Sequence, residues 1–117
     1  MRTFLAVYTG TTSARERSGW DAISEAERNK RIQDGMAAWR AWGDKHKAAI
    51  VDNGGPLGKT KRTGLNGITD IKNNRAGYVV VKAESHEAAA KLFEGHPHFT
   101  IFPGDSVEIM ECLPIPE

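Results

Sequence analysis

An α+β sandwich, an antiparallel sheet with two helices on one face, is the architecture expected of this 117-residue chain. Apolar runs rich in β-branched and aromatic residues recur at both ends and in the second half, and they mark strands. A long segment with a capping signal and apolar residues three and four apart marks one helix, and a shorter alanine-rich segment marks another. The order is strand, long helix, strand, strand, short helix, strand. Two βαβ-type crossovers fold that order into a ferredoxin-like βαββαβ unit.

The first strand runs from Arg2 to Thr9 and stops at Gly10. Phe4, Ala6 and Tyr8 alternate with Leu5 and Val7, so both faces are apolar, whereas a strand with one solvated face alternates apolar with polar. Cover on both sides is therefore expected. Residues 11–23 are polar and read as irregular, with Trp20 as an anchor. Ser24-Glu25-Ala26-Glu27 fits a capping box, and a helix is expected from Glu25 to about His46. Acidic residues in its first turn and Lys45 and Lys47 at its end complement the helix dipole. Ile32, Met36 and Trp39 form its inward stripe, with Trp42 beside them. Gly35 and Gly43 interrupt the pattern. A helix-interior glycine costs about 1 kcal/mol relative to alanine, which points to close backbone approach.

Ala49 to Asp52 reads as a short strand stopped by Asn53-Gly54-Gly55-Pro56, and Leu57 to Gly67 as a loop or a loose hairpin arm. Leu65 to Ile71 and Tyr78 to Ala83 are further strands, the latter apolar on both faces. Ser85 N-caps a second helix with Ala89, Leu92 and Phe93 inward and Gly95 as its stop. Pro97 and Pro103 bound a connector, and Ser106 to Leu113 closes a single domain spanning residues 1–117. Two helices cover only one sheet face. The other keeps Leu5, Val7 and Val79 or Val80, and an apolar face of that size marks an interaction surface. A homodimer packed sheet against sheet is expected.

Composition narrows the function classes. Sixteen basic residues against fifteen acidic ones, a net charge of +1, argue against a protein that neutralises nucleic-acid phosphates. Phe4 to Tyr8 is too short a run for a secretory signal or a membrane span. Cys112 is the one cysteine, so neither an internal disulfide nor a cysteine-rich metal site forms, and it reads as a small buried residue of the last strand. A cytoplasmic protein without metal, cofactor, nucleic-acid or membrane partner is expected.

Several residues carry candidate chemistry. Asn53 to Thr60 is one residue from a phosphate-binding loop, with Asn53 in place of the first glycine. That chemistry needs a helix after Lys59-Thr60, and the turn formers that follow make a strand-exit turn the simpler reading. Asp52 ends a strand, where it serves as general base or histidine partner, or else caps the glycine-rich turn. His96 and His98 flank Pro97 just past a helix end. Their roles are a metal pair lacking a third ligand, acid–base catalysis by His98, or a protonated imidazole facing free carbonyls. Tyr8, Trp39 and Trp42 line an aromatic pocket or simply fill the core. Lys59, Lys61 and Arg62 form a basic cluster on the loop.

Five stretches occur in order: Trp39-x-x-Trp42-Gly43-Asp44; Ile50 to Gly58; Gly77-Tyr78-x-Val80-Val81-x-Ala83-Glu84-Ser85; His96-Pro97-His98; and Val107-Glu108-Ile109-x-Glu111. Together they resemble the YCII-related domain family, also called DGPF-type proteins, over nearly the whole chain. The resemblance implies a dimeric α+β barrel with a pocket between helices and sheet. Activity in that family is mostly unassigned, and some relatives look like small-molecule enzymes with a His and an Asp at the pocket's polar centre. The helical His of the shorter branch has no counterpart here, since His46 stands late in its helix. The expected protein is a homodimer holding a small organic molecule, with His98 and Asp52 as catalytic residues and Tyr8, Trp42, His96, Gly55 and Pro56 as ligand contacts. Its chemistry would be that of a cofactor-independent lyase, isomerase or oxygenase. The alternatives are a non-catalytic binding module and a dimeric interaction or accessory regulatory protein.

Overall fold

The computed structural model describes residues 1–116, so Glu117, the last position of the expected domain, lies outside the described residues. Strands β1 (Arg2–Thr9), β2 (Ile50–Pro56), β5 (Arg75–Ala83) and β6 (Ser106–Glu111) make one sheet in the order β2-β5-β1-β6, with antiparallel neighbours throughout. The chain lays β2 two places from β1, fills the gap with β5, and returns to the far side of β1 with β6. That is the ferredoxin-like arrangement.

Directly paired antiparallel residues point to the same face. Phe4, Ala6 and Tyr8 therefore share a face with Val81, Val79 and Gly77. Helices α2 (Glu25–Lys45) and α3 (His86–Lys91) lie on it. Phe4, Ala6, Val79, Val81, Ala89 and Phe93 are buried there, with Trp39 and Trp42 packed against them. On the opposite face Leu5 and Val7 sit beside Val80 and Tyr78 on one side and Met110 and Glu108 on the other. Met110 is 43% exposed.

Helix α2 starts where the capping signal places it, with the Glu27 N–H donating to Ser24 Oγ at 3.1 Å. Its inward stripe differs from expectation. Ile32 and Met36 are 38% and 46% exposed, and the buried position is Gly35, where a Cβ would stand 2.5 Å from the Phe102 ring. At that glycine the helix meets Ile101 and Phe102, and one to two turns later Trp39 and Trp42 pack it against the sheet core.

Three other expectations need correction. Residues 11–23 are not all irregular: α1 (Thr12–Ser18) forms with Thr11 as its N-cap, accepting the Ala14 N–H at 3.0 Å. Only Ala14 of that helix is buried, so no apolar period announces it. Trp20 is the buried anchor beside it. The glycine-rich segment does not end β2 at Asp52; the strand continues to Pro56 through two register shifts. Gly54 makes this possible with φ at 57°, a left-handed conformation in which a Cβ would collide with the Tyr78 carbonyl. The expected hairpin arm after Pro56 pairs β3 (Thr60–Gly64) with β4 (Gly67–Ile71) as a sheet of its own, and the strand expected from Leu65 starts at Gly67.

Lys59-Thr60 thus runs into a strand and not into the helix a phosphate loop needs. The hairpin stands away from the body. The radius of gyration is 16.2 Å, against about 13 Å for a compact chain of this length. Cys112 follows the end of β6 and is exposed, not buried in a longer strand. No helix among the described residues is long and apolar enough to cross a membrane.

Candidate functional site

The end of β1 meets a short helix, α4 (Pro97–Thr100), which occupies the expected connector. His96 is its N-cap, and the His98 backbone N–H donates to His96 Nδ1 at 2.9 Å. The imidazole therefore does not face helix carbonyls as a cation; it opens a helix instead of closing one. It is fully buried, with ring centroids 4.5 Å from Trp39, 4.7 Å from Trp42 and 5.1 Å from Tyr8. Burial, then the neighbouring His98 and His46, lowers its pKa from 6.5 to about 4. The ring is neutral at pH 7. With Nδ1 accepting, its proton is on Nε2, which faces the Tyr8 hydroxyl at a long 3.4 Å. Burial pushes the Tyr8 pKa upward and keeps it a phenol.

His98 has the opposite polarity. Its Nε2 lies 2.7 Å from the Thr9 carbonyl, which only accepts, so Nε2 carries the proton. The neutral ring then holds its lone pair on Nδ1, for which no protein donor is in reach. Among the described residues no buried polar side-chain atom goes unpaired, so Nδ1 meets open space. Burial lowers the His98 pKa, opposed by the bond to Thr9 and by the Asp105 charge. Gly104 seats the ring: a Cβ there would overlap the imidazole and the His98 carbonyl.

The open space is a cavity of about 440 Å³ between α2 and the β2–β5 side of the sheet. Tyr8, His98, Asn53 and Tyr78 are the residues of its lining with polar side chains. Trp39, Trp42, Met36 and Phe102 wall it, and Gly55, Pro56 and Gly77 border it from the strands. The Trp42 indole is fixed by its Nε1–H, which donates to the Leu92 carbonyl at 2.7 Å and ties α2 to the chain after α3.

Tyr8, Trp42, Gly55, Pro56 and His98 thus come together around one cavity. His96 stands behind Tyr8 as support and does not border it. Asp52 is outside it: the residue is exposed, and its Oδ1 accepts the Gly54 N–H at 2.9 Å, the turn-capping arrangement. No hydrogen bond joins it to His98. Lys59, Lys61 and Arg62 are on the hairpin side, with Lys61 paired to Asp70 at 2.8 Å. Among the described residues no group of three or more His, Cys, Asp or Glu side chains is placed to hold a metal ion. Met36, Phe102 and Gly104 are additions that the sequence reading does not supply. The Phe102-Pro103-Gly104 run, an aromatic followed by turn formers, is the one local sign of them.

Neither a family model nor a curated protein matches the chain. Among solved structures it is similar to 5-chloro-2-hydroxyhydroquinone dehydrochlorinase from Burkholderia phenoliruptrix AC1100, in complex with 2,5-dihydroxybenzoquinone. The two align with a TM-score of 0.52 at 22% identity, over 92% of this chain and 90% of that one. A likeness at that identity carries the fold, and the chain accordingly has the ferredoxin-like α+β fold of that enzyme.

Proposed function

We propose that the protein binds a small planar organic molecule in the cavity under α2 and acts on it by cofactor-independent acid–base chemistry, with His98 as general base. The observation that carries this reading is the orientation of one imidazole. Thr9 holds the proton on Nε2 and leaves a basic nitrogen toward the cavity, in a ring kept neutral by burial. Aromatic walls favour a flat ligand. The dehydrochlorinase of the same fold, crystallised with 2,5-dihydroxybenzoquinone, supports a hydroxylated ring as its type. The five ordered motifs support a place among YCII-related proteins.

The reading includes a second copy of the chain. Leu5, Tyr78, Val80 and Met110 lie on one sheet face with Glu108 at its side, and sheet-to-sheet packing would bury them. Sedimentation should give a dimer, and a monodisperse monomer at micromolar concentration would remove this part of the proposal.

The catalytic part is tested with 2,5-dihydroxybenzoquinone as probe. Calorimetry should show binding, and the protein should accelerate exchange of the probe's ring hydrogens with deuterated water. His98→Gln keeps an N–H for Thr9 but has no basic nitrogen, and exchange should fall by about 100-fold or more. Absence of both binding and exchange would refute the reading. Binding without exchange would favour a non-catalytic binding module, which the largely apolar walls also suit.

A further inference from the structure

We infer that Tyr8 is the residue that selects the ligand: its hydroxyl donates to a carbonyl oxygen of the bound ring, while His98 Nδ1 accepts from a hydroxyl on the same ring. This rests on the ligand-binding reading above and names the chemical class that fits it.

The protons follow from the hydrogen bonds in sequence. The His98 N–H donates to His96 Nδ1 at 2.9 Å, so that nitrogen has no proton of its own. A neutral imidazole then carries its proton on Nε2. Nε2–H faces the Tyr8 oxygen at 3.4 Å, and Tyr8 is the acceptor in that contact. The Tyr8 hydrogen needs an acceptor elsewhere, and among the described residues the hydroxyl has no bond other than this one. The space that Tyr8 borders is the cavity. His98 offers the reverse, because the Thr9 carbonyl takes its Nε2–H at 2.7 Å and leaves a lone pair.

The rings of Tyr8 and His98 are neighbours, with centroids 5.2 Å apart. One side chain therefore presents a hydrogen and the next presents a lone pair. A ligand with two carbonyls leaves His98 Nδ1 unmet. A ligand with hydroxyls alone gives Tyr8 a poorer acceptor than a carbonyl oxygen. A ring bearing one of each satisfies both, and Trp39 and Trp42 leave a flat space for it. His96 is a positioning residue here, since its tautomer decides which way the Tyr8 hydrogen is available.

Three probes separate the terms by calorimetry: tropolone carries carbonyl and hydroxyl on one ring, tropone the carbonyl alone, and phenol the hydroxyl alone. The wild type should bind tropolone about 10-fold more tightly than either, the value of one hydrogen bond. Tyr8→Phe should erase the advantage over phenol and keep that over tropone. His98→Leu, which carries no acceptor, should do the reverse, which a general loosening of the cavity would not. If no probe binds the wild type, the ligand reading itself falls and takes this assignment with it. If the wild type binds all three equally, or Tyr8→Phe keeps the full preference for tropolone over phenol, the Tyr8 assignment alone falls. The wild-type series decides the matter even if a variant fails to fold.

Discussion

Acid should unfold this protein through His96. Its folded pKa of about 4 lies below the unfolded value of 6.5. As pH falls through that window the unfolded chain takes up a proton that the native state refuses, and stability drops; above pH 6.5 the contribution is complete and constant. At about 1.4 kcal/mol per pH unit the displacement corresponds to a ceiling of about 3 kcal/mol. A scan that stops near pH 4.5 ends above the folded pKa, so the loss expected over it is about 2 kcal/mol. Burial lowers the pKa of His98 and His46 as well, so they add with the same sign. The control is His96→Asn, which retains an oxygen for the His98 N–H at a helix N-cap but does not titrate. Removing the ring leaves space among Trp39, Trp42 and Phe93, and the variant should be less stable at neutral pH by about 2 kcal/mol. Urea unfolding followed by tryptophan fluorescence between about pH 7.5 and 4.5 measures both effects. The wild type should lose stability toward acid more steeply than His96→Asn. Parallel profiles would show that His96 is not the acid-sensitive group.

Two further substitutions probe the glycines that shape the site. Gly54→Ala places a side chain at φ 57° and against the Tyr78 carbonyl, so it should cost about 2–3 kcal/mol and lower the melting temperature by about 10 °C; an unchanged melting temperature would contradict the bulge. Gly104→Ala should push His98 off the Thr9 carbonyl, costing about 1–3 kcal/mol and weakening binding of 2,5-dihydroxybenzoquinone in the same calorimetric assay, and unaltered affinity would place His98 outside the binding determinants.

The strands and the long helix were legible because their signals are local. β1 and β5 show apolar residues on both faces, and Ser24 with Glu27 fixes the start of α2. Helix α1 was not, because one buried alanine in seven residues makes no period. The hairpin β3–β4 was legible only as a loop or loose hairpin arm followed by a strand, because its strands are almost wholly solvated and lack the alternation that fixes bounds. At the site, Tyr8, Trp42, Gly55, Pro56 and His98 were visible as residue types at strand and helix ends. For Asp52 the pattern left two roles open, histidine partner or cap of the glycine-rich turn, and its Oδ1 accepts the Gly54 N–H as the capping role requires. His96 does follow the end of α3, but its part as N-cap of α4 was hidden because that helix is only four residues long. Phe102 and Gly104 reach the site through packing across the fold, against Gly35 and His98, and no spacing in the chain foretells it.

The β3–β4 limb is joined to the body by two single chain crossings. The Leu57 N–H donates to the Ala76 carbonyl at 2.9 Å, the last rung before the strands depart, and Gly10 donates to the Asn74 carbonyl at 2.9 Å on the return. Everything from Lys59 to Asn73 lies beyond those rungs. A short turn spliced between Gly58 and Asn74 would leave the ladder of the main sheet whole, so the limb is a module that insertions, deletions or an attached reporter can alter while the aromatic chamber keeps its shape.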